Sequence, residues 1–295
     1  MSKSKNKPSA VETGHAPSLR GWKHIVFLAT ALLLAVTVTT LVVVFNTDLR
    51  LRWLYNRIEA SAQRGNWERV LSHSERYLHL AETSGIFSPA VIDNTKFALI
   101  KTGRLLEDFF AFSRFEGFGI LFSQDLPASE LRHPGTIRFL SDMGMDTDLG
   151  IGLVNLDNRI LRHWLANPQN QRAGEAVVAM GLSAKLHQNV MRDILFLLEN
   201  FNYAHIPRHM EEAIIMDAIF NAPERGIEPR RYLTTQRFSG LPVRMETIVS
   251  ADDFFDWVNR FNTGQLFFSE LQHRFGDTYW FHVLFMEVPP PGRAN

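Results

Sequence analysis

Residues 25–45 read IVFLATALLLAVTVTTLVVVF, a run without charge, proline or glycine. A helix rises about 1.5 Å per residue, so this stretch reaches roughly 30 Å, the thickness of a bilayer hydrocarbon core. Thr30, Thr37, Thr39 and Thr40 can return their hydroxyls to carbonyls of the preceding turn, so they need not break the helix. Trp22 stands just ahead, where an indole suits the headgroup level. A cleavable signal peptide has an apolar core of about 7–15 residues and then a small-x-small site. Here the run is longer, and Phe45-Asn46-Thr47-Asp48 offers no such site. The expectation is an uncleaved anchor, with membrane lipid as a partner through Ile25–Phe45.

The flanks suggest an orientation. Lys3, Lys5, Lys7, Arg20 and Lys23 precede the run against only Glu12, while Arg50, Arg52, Arg57 and Arg64 lie beyond it. The basic N-terminal tail reads as the inside end, which places the body outside.

The body beyond the run is large enough for a real core. With 31 basic and 31 acidic residues the chain is balanced, and arginines scattered among acids argue against a nucleic-acid surface. Beyond the tail the lysines are Lys96, Lys101 and Lys185, so no polybasic membrane patch is expected after the anchor. The absence of cysteine excludes disulfides, thiolate nucleophiles and Cys-based metal centres.

Helical periodicity continues past the anchor, with Leu51, Leu54, Ile58 and Ala62 on one face. Four times an apolar helical pattern then stops at a glycine and another starts: Gly65, Gly103, Gly144 and Gly181, spaced by 38, 41 and 37 residues. Glycine tolerates the left-handed conformation that ends a helix. Two helices per unit at this period point to an α-solenoid of the tetratricopeptide or HEAT kind, with an unrelated helical bundle as the alternative.

Further on, 186–201 carries a broad apolar face. In 207–220 Pro207 suits the first helical position, and apolar residues cover most of the circumference, so that helix should be buried between neighbours. Residues 221–249 hold three prolines and read as an irregular surface connector. Ser250 then reads as the opening of a helix with Asp253 in its first turn. Aromatic residues crowd from Phe254 to Phe285, and they read as a core that buries Trp257 and Trp280. The predicted order is therefore a disordered basic tail (1–21), a transmembrane helix (22–46) and a helical-repeat domain (47–220). An irregular connector (221–249), an aromatic-rich helical cap (250–288) and a tail (289–295) complete it.

Chemistry-bearing motifs are scarce. His205 and His209 lie four apart near Glu212, but Pro207 separates them and the H-E-x-x-H zinc pattern is absent. Asp142, Asp146 and Asp148 before Gly150 do not fit a calcium loop, because the fifth position from Asp146 is Gly150 and the sixth Ile151. Gly117-Phe-Gly119 and Gly150-Ile-Gly152 lack a third glycine for a dinucleotide loop. Adjacent acids such as Glu211/Glu212 or Asp252/Asp253 point to different helical faces. No catalytic, cofactor-binding or metal-ligating residue is assigned. Were there a site, His205, His209 and Glu212 would be its first members.

Four stretches carry a resemblance: QRGNWERVL (63–71), FALIKTGRLLEDFFAF (97–112) with FEGFGILF (115–122), IPRHMEEAI (206–214) and LQHRFGDTYWFHVLF (271–285). Over about residues 50–286 the chain resembles an uncharacterised family of bacterial integral membrane proteins. In that family several membrane helices precede a tetratricopeptide-like helical domain, whereas this chain has one such stretch. The resemblance implies the bacterial inner membrane and supplies no functional residues. The expectation is an all-α, single-pass scaffold that binds a protein or peptide in a solenoid groove. The alternatives are a membrane-tethered enzyme or small-ligand module, or a structural subunit of a membrane complex.

Overall fold

The computed structural model describes residues 19–112, 126–128, 132–221, 228–236, 238 and 240–286. The basic tail to residue 18, the FEGFGILF stretch with Gly117 and Gly119, and the proline-rich tail after Met286 lie outside the described residues. The class is all-α. The strands described are two residues each, β1 (Leu126–Pro127) pairing antiparallel with β2 (Leu153–Val154). The chain divides into two compact units, Met1–Arg50 and Leu51–Asn295.

The first unit is built on helix α1 (Leu19–Gln63), which runs as far as Arg50 within it. Phe27 to Leu34 are all exposed. The Thr37 hydroxyl donates to the Leu33 carbonyl at 2.7 Å, the return to the preceding turn expected of these threonines. Among the described residues no helix is long and apolar enough to cross a membrane. The side chains of Trp22 and, within the apolar stretch, of 25–26, 35–36 and 38–45 lie outside the described residues.

The second unit starts on the predicted apolar face: Leu51, Leu54, Ile58 and Ala62 are all buried. Helix α2 (Trp67–Ser84) packs against α3 (Pro89–Thr102), and α3 also meets α4 (Leu105–Asp108), α5 (Pro134–Asp142) and α7 (Gln171–Ser183). Helices α6 (Leu156–Ala166), α7 and α8 (His187–Asn200) pack in sequence. Helix α9 (Arg208–Asn221) is the hub. It meets α4, α8, α10 (Pro229–Thr235), α11 (Met245–Asn262) and α13 (Tyr279–Phe285), with α12 (Phe268–Phe275) between the last two in sequence. In a stacked array each repeat touches only its neighbours. The return of α9 to α4 departs from that rule.

One turn recurs in the same form. At Gly65 (φ 67°), Gly103 (φ 74°) and Gly144 (φ 71°) the left-handed residue donates to the carbonyl three back, and the next residue donates to the carbonyl five back. That pair of bonds is the Schellman ending of a helix. The fourth copy is not at Gly181, which lies inside α7. It is at Lys185 (φ 57°), whose N–H donates to Leu182 while Leu186 donates to Gly181. Gly181 is small for another reason: a Cβ there would overlap the Val190 Cγ2 of α8. These turns therefore stand at 65, 103, 144 and 185, spaced by 38, 41 and 41 residues, and a fifth of the same form follows at Gly264 (φ 75°), whose N–H donates to Phe261 while Gln265 donates to Arg260.

Three further expectations change. Gly144 ends α5, but no helix begins until Leu156. Asp146 and Asp148 instead accept the N–H groups of Asp148 and Gly150, at 2.9 and 2.8 Å, so these acids shape the loop. The described part of 221–249 is helical over Pro229–Thr235 and again from Met245, in place of the expected irregular connector. Pro229 opens α10 with Glu228 capping it, Leu233, Phe238 and Val243 are buried, and α11 starts at Met245, so Ser250 sits inside a helix. Residues 222–227, 237 and 239 lie outside the described ones. In the aromatic region Trp280 is buried at 1% exposure, whereas Trp257 is half-buried under the Arg260 and Arg274 guanidiniums.

Candidate functional site

The suspected residues do not form one site. His205 precedes α9, as the proline implied, and its Nε2 lies 3.0 Å from Glu107 at an exposed position. His209 and Glu212, by contrast, are almost wholly buried. His209 Nδ1 donates to Glu212 Oε2 at 2.9 Å, and Nε2 accepts the Phe110 N–H at 3.3 Å. Both ring nitrogens are thereby satisfied. The ring also packs edge-on against Phe110, 4.8 Å between centroids.

Glu211 and Glu212 turn out to be organisers. Glu212 accepts from the Tyr279 N–H at 2.8 Å and from Arg208 Nε at 2.9 Å, and its own carbonyl takes the Trp280 indole N–H at 3.0 Å. Glu211 accepts the Arg244 N–H and Nε, both at 2.8 Å, and the Thr247 hydroxyl at 2.7 Å. Each carboxylate thus sits at the N-terminus of a different helix, α13 or α11, where unsatisfied N–H groups and the helix dipole favour negative charge. Adjacent positions on α9 point to different faces, which is why two neighbouring residues can serve two helices. Burial opposes the charge on Arg208, but Glu212 and Asp277 outweigh it and hold its pKa above the ordinary arginine value.

The C-terminal ends of α7 and α13 are fastened reciprocally. The Lys185 ammonium donates to the carbonyls of Val283 and Met286, and His282 Nε2 donates to the Ser183 carbonyl at 2.9 Å. Burial holds the His282 pKa below the usual histidine value; the Ser183 bond opposes this and Lys185 adds to it.

A second buried polar cluster lies around α3. Lys96 is 3% exposed, and burial pushes its ammonium down to about 8 against the attraction of Asp93 and Asp157. Burial raises the Asp93 carboxyl in turn, opposed by Lys96 and His133. Glu59 accepts from Asn94 Nδ2 at 2.8 Å, and a Cβ on Gly135 would overlap Asn94 Oδ1. A lysine of low pKa is a candidate nucleophile only where a reactant can reach it, and this one is enclosed.

Among the described residues no group of three or more His, Cys, Asp or Glu could hold a metal ion. An open cleft of about 640 Å³ lies beside the hub, where Met245 and Val249 of α11 face Arg274, Asp277 and Arg208. Its arginines are engaged, Arg208 with Asp277 at 3.0 Å and Arg274 with Asp253. Met245 and Val249 are each 52% exposed. The cleft offers apolar contact and paired charge, the makings of a contact surface.

Over residues 135–286 the chain matches a family of unknown function, DUF6057. The chain belongs to this family. The DUF6057 segment begins within α5 and ends just past α13, so it contains the hub helix, both glutamates and both helices they cap. The stretches IPRHMEEAI and LQHRFGDTYWFHVLF fall inside it, while QRGNWERVL and FALIKTGRLLEDFFAF precede it. No curated protein and no solved structure matches the chain.

Proposed function

We propose that the chain is a membrane-tethered helical-repeat protein whose body receives a protein partner. The observation that carries the tether is the set Phe27–Leu34, eight successive exposed positions. Seven of them are leucine, phenylalanine or alanine, and the eighth is Thr30. Successive residues are about 100° apart on a helix, so this set leaves apolar side chains uncovered on every side. A helix apolar all round belongs in a protein core or a bilayer. The full stretch Ile25–Phe45 has the length for the bilayer. The repeated turns at 65, 103, 144 and 185 support a repeat origin for the body, and the Met245/Val249 surface supports a protein contact.

The tether is tested by fractionation. The full chain should stay in the membrane pellet after carbonate washing, and replacing Leu32, Leu33 and Leu34 with arginine should release it. Recovery of the unchanged chain in the soluble fraction would overturn the reading. Orientation is read from a reporter fused after Asn295, which the basic tail places on the extracytoplasmic side. The partner surface is tested by a photocross-linking residue at Val249 in intact membranes. A discrete protein adduct that Met245→Asp abolishes supports the scaffold role, and adducts unaffected by that change count against it.

A further inference from the structure

Where α1 and α2 meet, the second unit gathers cationic and aromatic groups without a partner acid. Trp53 is 50% exposed, with the Arg57 guanidinium 5.1 Å from its ring centroid and the His73 ring steeply inclined to it, 6.1 Å between centroids. On α2, Arg69, His73 and Arg76 fit the i, i+4, i+7 spacing of one helical face. Burial lowers the His73 pKa, and Arg76, Arg57 and Arg69 lower it further; no carboxylate counters them. Among the described residues none of these three guanidiniums is ion-paired, and His73 Nδ1 is buried without a hydrogen-bond partner. The nearest acids on α2, Glu68 and Glu75, lie about 100° round the helix from this face. All three arginines are exposed.

We infer that Trp53, Arg57, Arg69, His73 and Arg76 form a docking surface for the phosphate headgroups of anionic phospholipids. Guanidinium forks match phosphate oxygens in geometry and charge. A half-exposed tryptophan beside them suits the boundary between headgroup and acyl chain. Trp53 lies eight residues beyond the end of the apolar stretch in the sequence. That closeness favours lipid over a soluble phosphate or an acidic protein, and the inference rests on the membrane tether proposed above. The clustering is invisible to a lysine count, because every cation in it is an arginine.

The test uses the full chain in vesicles of phosphatidylcholine alone or mixed with phosphatidylglycerol, with a benzophenone amino acid at the neighbouring Asn56. Flotation with phosphatidylcholine alone reports the tether separately. Mass spectrometry of the photoadducts in mixed vesicles should find phosphatidylglycerol enriched several-fold over its share of the bilayer. The variant Arg57→Gln/Arg69→Gln/Arg76→Gln should bring that enrichment down to the bilayer share, with its helical circular dichroism unchanged, and the matching lysine variant should keep part of it. Adducts that track bilayer composition in the unaltered chain, or that form with protein, would overturn the headgroup surface even if the chain floats. If the chain fails to float on phosphatidylcholine yet floats on the mixture, the tether fails and the headgroup surface stands.

Discussion

Gly181 of α7 lies directly against Val190 of α8, so that a Cβ at 181 would overlap the Val190 Cγ2 methyl. The two helices are thus set at a distance only glycine allows. Gly181→Ala should destabilise the body by about 1–3 kcal/mol, the usual cost of forcing volume into a packed contact. Val190→Ala in the same chain should restore part of the loss, a coupling that a double-mutant cycle of thermal or urea unfolding measures. Additive losses would mean the helices do not meet there.

Glu212 holds Arg208, His209 and the start of α13 together. Glu212→Gln keeps the shape but removes the charge and turns one oxygen into a donor facing donors. Breaking a buried charge pair on one side costs about 3–5 kcal/mol. A loss of that order in urea unfolding is expected, with α13 loosened first in hydrogen exchange. A loss under about 1 kcal/mol, the size of an ordinary hydrogen bond, would count against this role.

Lys96 makes a prediction on the alkaline side. Its pKa falls from 10.5 to about 8 in the fold, so between these values the unfolded chain holds more protons than the folded one. Stability then rises with pH across that window, by an amount on the order of a few kcal/mol from this group. Comparing the unaltered chain with Lys96→Met from pH 8 to 10.5 isolates the effect. The unaltered chain should gain on the variant, and a flat difference would mean the ammonium is not strained by burial.

His282 predicts the acid side. Its folded pKa lies below the usual 6.5, so its contribution is complete above pH 6.5 and is lost as pH falls through the folded value. Relative to His282→Phe, which does not titrate, the unaltered chain should lose stability below pH 6.5. The measurement is the difference in melting temperature between the two chains across that range.

Much of the fold could be read from local patterns. The apolar face from Leu51 to Ala62, the Schellman glycines at 65, 103 and 144, and the enclosure of α9 all arise from spacing within a few turns of chain. Lys185 escaped because a lysine in the left-handed region carries no local signature, although a second step of 41 residues beyond Gly144 points to it. Gly181 misled because a small residue serves close packing as well as it serves a turn. Prolines suggested an irregular 221–249, yet Pro229 after Glu228 is a helix start. His209 and Glu212 were legible as a pair three apart. Their bonds to helices up to 67 residues later were not, because such partners are set by tertiary packing. The basic face needs α1 and α2 folded back on each other at Gly65, and no count along the chain reveals it.

The hub has a consequence for how the chain is made. A ribosome delivers α9 before α11 and α13, and the Tyr279 N–H reaches Glu212 only after 67 more residues are joined. Until then Glu212 lacks its partner on α13 and must remain hydrated, although Glu211 meets Arg244 and Thr247 after 33 and 36 residues. Maturation is held open until the last helices emerge, and a stalled or truncated product would expose this unfinished interior to proteases.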